Sequence, residues 1–99
     1  MTPSRRYIVA ADDETSVAVL TSIREHGLGP AYWKLYRLLS LAPRDPSLGV
    51  RAYVSAPDTF TVYLRDEDRH RDPGCILIYR IHEDSGLLSL IRLEEIHIL

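Results

Sequence analysis

Four residues in the second half of the sequence, Tyr63, Arg65, Arg80 and His97, combine a phenol, two guanidinium groups and an imidazole. Cleavage of a phosphodiester needs a base for the attacking hydroxyl, a cation for the developing charge and an acid for the leaving oxygen. These four are the candidate catalytic residues for acid–base chemistry, and Arg51 and Arg92 are further cations that could lie near them. On simple strand alternation Tyr63, Arg65, Arg80, Glu95 and His97 project from one sheet face, with Arg51 nearby. The same placement also describes a polar rim around an apolar partner-binding patch, and residue types alone leave both readings open.

The remaining candidates are weaker as chemistry. His70 sits in a charged segment, residues 66–74, and His82 at a tight turn, neither a setting that holds a catalytic geometry. The four histidines and the single Cys75 show no His-x-x-x-His or Cys-x-x-Cys spacing, so no metal site is expected, and no cofactor is expected because glycine-rich phosphate loops and Gly-x-Ser-x-Gly elbows are lacking. Cys75 reads as a buried, inert thiol. Tyr32, Trp33 and Tyr36 recur at helical spacing and read as core.

Elements that could position these groups follow from periodicity. Residues 6–11 read as a strand stopped by Asp12 and Asp13, which favour a helix start, with Thr15 or Asp13 able to cap it. Val17, Leu20 and Ile23 mark the buried stripe of a first helix over residues 15–26, ended by Gly27. A second helix begins at Pro30 and runs to Leu41, with Tyr32, Leu35, Tyr36 and Leu39 inward. From Val50 the period becomes two, giving strands over residues 50–55, 60–65, 75–82 and 87–93, the last two joined at Glu83-Asp84-Ser85-Gly86. The expected fold is therefore α+β, in the order β-α-α-β-β-β(β), with both helices on one face of an antiparallel sheet.

The last two strands are apolar on both sides. Leu77, Tyr79, Ile81, Leu88 and Leu90 occupy one face, and Ile76, Ile78, Leu87, Ile91 and Leu93 the other. Two helices cap one face only, so the second set is the candidate partner-binding surface, covered by a C-terminal segment, a homodimer mate or a partner protein.

A chain of 99 residues suits one domain spanning 1–99, and 45% apolar with 26% charged residues is ordinary for a folding sequence. No apolar run nears the roughly 20 residues that span a bilayer, so no membrane association and a cytoplasmic address are expected. The formal net charge of −2 gives no global reason to expect nucleic acid, although it leaves room for a local basic patch.

In the second half, Phe60-Thr61-Val62-Tyr63-Leu64-Arg65 is followed by Cys75-Ile76-Leu77-Ile78-Tyr79-Arg80-Ile81, then by Leu87-Leu88-Ser89-Leu90-Ile91-Arg92, with His97 near the end. This succession, after a strand and two helices, resembles the RelE/ParE superfamily of bacterial toxins from toxin–antitoxin pairs. The resemblance implies a toxin module neutralised by a bound antitoxin, acting on mRNA at the ribosome as an endoribonuclease, with Arg51 and Arg92 as the RNA-binding residues that hold phosphates, or, in ParE-like members, acting on DNA gyrase. The chain departs from the ribosome-dependent pattern at Thr61 and Tyr63, where basic residues alternate in that family, and at Cys75 and Ile76, where tyrosine and arginine stand. A non-catalytic interaction or homodimerisation module with the same fold is the alternative.

Overall fold

The structure, a computed structural model, describes residues 6–66 and 74–96. It is α+β: β1 (Ile8–Val9), α1 (Glu14–Glu25), α2 (Gly29–Leu41), a short 3-10 turn at Pro46–Leu48, then β2 (Arg51–Ala52), β3 (Thr59–Leu64), β4 (Cys75–His82) and β5 (Leu87–Glu95). The five strands form one open sheet in the order β1-β5-β4-β3-β2. The sheet is mixed, which corrects the antiparallel expectation: β1 runs parallel to β5, with Ile8 opposite Leu87. The helical pair carries the chain from one sheet edge to the other, and the β2-to-β5 meander returns to meet β1 from the opposite side. The strands at residues 6–11 and 50–55 shrink to two residues each, as suits edge strands paired on one side only.

Helix α1 starts where the Asp13 carboxylate accepts a hydrogen bond from the Ser16 amide at 3.0 Å. It ends in a Schellman motif: Leu28 N–H donates to the Ile23 carbonyl and Gly27 N–H to that of Arg24, with Gly27 at φ 71°. Its inward stripe is Ser16, Val19 and Ile23, with Leu20 half-buried, and Val17 is exposed. The helix is thus rotated from the Val17-Leu20-Ile23 reading, setting the small Ser16 against the sheet. Helix α2 buries Tyr32 and Leu39 and half-buries Leu35 and Tyr36, as the periodicity predicts, but Trp33 is 60% exposed and is not a core residue.

The core lies between the helices and one sheet face, where Val62, Leu64, Cys75, Leu77, Tyr79, Ile81, Leu88 and Leu90 are buried with Val19, Ile23, Leu28, Tyr32 and Leu39. Its lower end is pinned by polar contacts across the layers. The Tyr79 hydroxyl donates to the Pro43 carbonyl at 2.6 Å, and Tyr7 O–H donates to Glu83, which also pairs with Arg44. The Arg44 guanidinium stands 5.5 Å over the Phe60 ring, so the segment after α2 is held against β3 and β4.

One irregularity decides which side chains reach the open face. On β4 and β5, Ile78 lies opposite Arg92 while Tyr79 lies opposite Leu90, leaving Ile91 as the extra residue of a β-bulge. Because side chains alternate, one inserted residue inverts everything beyond it. Leu93 therefore faces the helices, opposite Leu77, and packs on the core; its assignment to the partner-binding surface is corrected. Glu95 likewise leaves the open face, lies opposite Cys75 and accepts from His26 Nε2 at 2.6 Å. Arg92 and Glu94 take the open face instead.

Candidate functional site

The sheet face away from the helices can be read row by row from the register. Across its middle run Arg51 on β2, Thr61 on β3, Ile78 on β4 and Arg92 on β5. The next row toward the start of β4 holds Tyr63, Ile76 and Glu94, and the row toward its end holds Thr59, Arg80 and Ser89. Below it His82 and Leu87 lie opposite each other, with Ile8 beside Leu87. The His82 Nε2 is 2.8 Å from the Ser89 hydroxyl, which ties that side chain to the sheet.

Charge is segregated here in a way that net charge conceals. The strands carry three arginines, Arg51, Arg80 and Arg92, and all three fall on the open face. Their two glutamates divide, Glu94 to the open face and Glu95 to the helical face. Glu94 pairs with Arg92 at 2.5 Å on the same face, leaving Arg51 and Arg80 as arginines with no ion pair to a described residue. Strand spacing of about 4.8 Å puts Arg51 and Arg92, three strands apart, at roughly 14 Å, with Arg80 between them and about 7 Å further along. Thr61 and Ser89 stand beside the arginines, and Ile78 lies buried between them, so the exposed charged groups of the middle rows are chiefly cationic.

The predicted catalytic residues do not converge within the described part of the face. Tyr63 lies opposite Ile76, four residues along β4 from Arg80, a separation of about 13 Å for side chains that stand perpendicular to the sheet. Arg65 follows the end of β3 beside Asp66, Lys34 and Tyr63 in a groove against α2, away from Arg80. His97 and His70 lie outside the described residues, as do residues 67–73 of the charged segment. Arg51 and Arg92, the predicted phosphate contacts, are on the face together, in one row with Arg80 beside it.

The predicted apolar patch is also redistributed. Ile78 is only 3% exposed and Ile76 is half-buried, although both point away from the helices. Leu87 and Ile91 are exposed, and Ile8 of β1 joins them at the β1–β5 margin. Exposed apolar residues thus lie at the β1–β5 margin, while arginines flank Ile78 in the middle rows, in place of the apolar patch with a polar rim that strand alternation suggests.

Perturbed ionisation elsewhere marks structure and not chemistry. Burial, reinforced by Tyr36, pushes the Tyr32 phenol up to about 12, and burial also raises Tyr79. Neither hydroxyl is positioned to exchange protons with a substrate. Cys75 is buried as expected. Among the described residues no cluster of His, Cys, Asp and Glu is arranged to hold a metal ion, and no helix is long and apolar enough to cross a membrane.

Periodicity reads the open face of β3 and β4 correctly, since Tyr63 and Arg80 are where alternation puts them. It misses the bulge at Ile91, for which the sequence carries no glycine or other marker, and so misplaces Arg92, Leu93, Glu94 and Glu95. No known protein family, curated protein or solved structure matches the chain.

Proposed function

We propose that the chain is an RNA-directed toxin module of the RelE/ParE-like kind, and that its open sheet face is where RNA is received. One observation carries the reading: a chain with an excess of acids places every strand arginine on the face that its helices leave uncovered. Guanidinium groups bind phosphates through paired N–H donors, and neutralising several phosphates releases their counterions. An open sheet face bearing three arginines suits an extended polyanion better than a folded protein surface, which favours RNA over gyrase as the target. Of the predicted catalytic residues Tyr63, Arg65, Arg80 and His97, only Arg80 lies beside the row of Arg51 and Arg92, so the reading rests on binding and not on an assembled catalytic set.

The test joins binding to phenotype. Fluorescence anisotropy with a labelled oligouridine is expected to show saturable binding that weakens with salt and with Arg51→Ala, Arg80→Ala or Arg92→Ala. Induced expression in a bacterium is expected to arrest growth, and Arg80→Ala to relieve the arrest. Absence of both oligouridine binding and arrest, with the purified protein folded, would sink the proposal.

The β1–β5 margin favours a second reading, a homodimerisation module, because Ile8 and Leu87 lie exposed opposite each other and Ile91, also exposed, follows four residues along β5. Sedimentation equilibrium separates the two. A stable dimer broken by Ile8→Asp, with no affinity for oligouridine, would favour this module over the toxin.

A further inference from the structure

At the C-terminal end of β5 a histidine ties the sheet to the helical layer. His26 is the C-cap residue of α1, and its ring makes a contact from each nitrogen. Nδ1 lies 2.7 Å from the Ser22 carbonyl oxygen, one turn back along the helix, and Nε2 lies 2.6 Å from a Glu95 carboxylate oxygen. Glu95 is available to it because the bulge at Ile91 turns this glutamate from the open face to the helical one.

Proton counting decides what this arrangement requires. A neutral imidazole has one N–H donor and one accepting nitrogen, whereas an imidazolium donates from both. The Ser22 carbonyl and an ionised Glu95 only accept, so both contacts are satisfied together only when the pair carries an additional proton. An imidazole is more basic than a carboxylate, which gives that proton to His26. The end of α1 adds a second preference for the cation, because its last carbonyls carry partial negative charge. Among the described residues the other charges nearby are few. On α1 Arg24 and Glu25 adjoin His26, one of each sign, and on α2 the first charge is Lys34, more than a turn into that helix. On β5 Arg92 and Glu94 pair with each other on the opposite face. On β4 the buried Cys75 thiol lies opposite Glu95, and beyond β3 Arg65 and Asp66 line a groove against α2.

From this geometry we infer that the His26–Glu95 pair is a proton-held latch that keeps the end of β5 against α1 and opens as pH rises. The backbone gives this end little independent hold: past Glu95 the next contact across the sheet, from Ile96 N–H to the Gly74 carbonyl, is long at 3.4 Å. An interaction that needs the additional proton contributes fully where an unfolded-chain histidine is already protonated, below about 6.5. It is lost as pH rises through the value at which the closed pair gives that proton up. At the acid end, protonation of Glu95 removes the carboxylate charge and weakens the latch again. From the latched residue the chain continues into residues 97–99, which include the candidate His97. The inference does not rest on the RNA reading, because the pair lies on the helical side of the sheet.

Side-chain NMR of the intact protein reads the pair directly. At neutral pH, nitrogen–proton correlation spectra are expected to show His26, identified by its loss in His26→Gln, with both ring nitrogens protonated. Glu95→Gln keeps the shape of the side chain and an accepting oxygen but removes the charge. With folding checked by circular dichroism, it is expected to lower the midpoint of the His26 titration by about one pH unit. Hydrogen exchange at the Ile96 amide, corrected for its intrinsic rate, is expected to accelerate as pH rises through the wild-type midpoint, and that step is expected to move with the midpoint in Glu95→Gln. A neutral His26 ring at neutral pH, a midpoint unmoved by Glu95→Gln, or Ile96 exchange with no step at the wild-type midpoint would each overturn the inference.

Discussion

Salt dependence offers a direct measure of how many arginines on the sheet face take part in RNA binding. Each phosphate neutralised on a single strand contributes about −0.7 to the slope of log K against log salt. Arg51 and Arg80 have no ion pair among the described residues, while Arg92 is engaged by Glu94. The number of phosphates neutralised by the strand arginines therefore lies between about two and three, which predicts a slope of roughly −1.4 to −2.1. Raising salt from about 50 to about 200 mM should then weaken oligouridine binding by roughly 7- to 18-fold. Arg80→Ala removes one neutralised phosphate and should flatten the slope by about 0.7. Glu94→Gln acts in the opposite direction: it frees Arg92, moves the slope toward the steeper limit and tightens binding at low salt. Anisotropy titrations of the wild type and both variants at four or five salt concentrations decide the matter. Identical slopes for wild type and Arg80→Ala, or weaker binding by Glu94→Gln, would refute the assignment of this face, whatever the absolute affinity.

Three further outcomes concern the scaffold. Tyr79→Phe strands the buried Pro43 carbonyl that its hydroxyl satisfies, at a cost of about 1–3 kcal/mol, and thermal unfolding should show a fall in Tm of several degrees. Gly74→Ala should destabilise the β3–β4 connection, because Gly74 is at φ +82° and an added Cβ would lie 2.5 Å from the Leu64 carbonyl oxygen; denaturant titration should show a lower midpoint. The Ser16 hydroxyl and amide hold the Asp13 carboxyl below its ordinary value, and those of Ser47 do the same for Asp45. A carboxyl depressed in the folded state stabilises fully above its unfolded pKa, near about 3.9, and that contribution is lost as pH falls through the folded value. Asp13→Asn and Asp45→Asn should therefore reduce the acid sensitivity of Tm below about pH 4 relative to wild type.

The sequence by itself determined the elements whose signals are local. Gly27 ends α1 because a residue at ease with positive φ closes its last turn, and of the two caps the sequence offers, Thr15 and Asp13, the structure uses the Asp13 carboxylate. Period-two alternation placed Val62, Leu64, Leu77 and Tyr79 on the buried face and Tyr63 and Arg80 on the other. The tertiary structure decided what depends on neighbours distant in the chain. Pairing with β5 fixed the direction of β1, and packing against the sheet turned α1 until Ser16 faced inward and Val17 outward. The bulge at Ile91 exists only in the register between β4 and β5, yet it sends Leu93 into the core and Arg92 to the open face. Trp33 shares the aromatic periodicity of α2, and only the position of α1 and β1 beside it leaves its ring as the exposed wall of a recess. Local chemistry sets caps and periods, whereas register and the docking of one layer on another are sums over many weak contacts, and they decided which charges and which aromatic ring reach the surface.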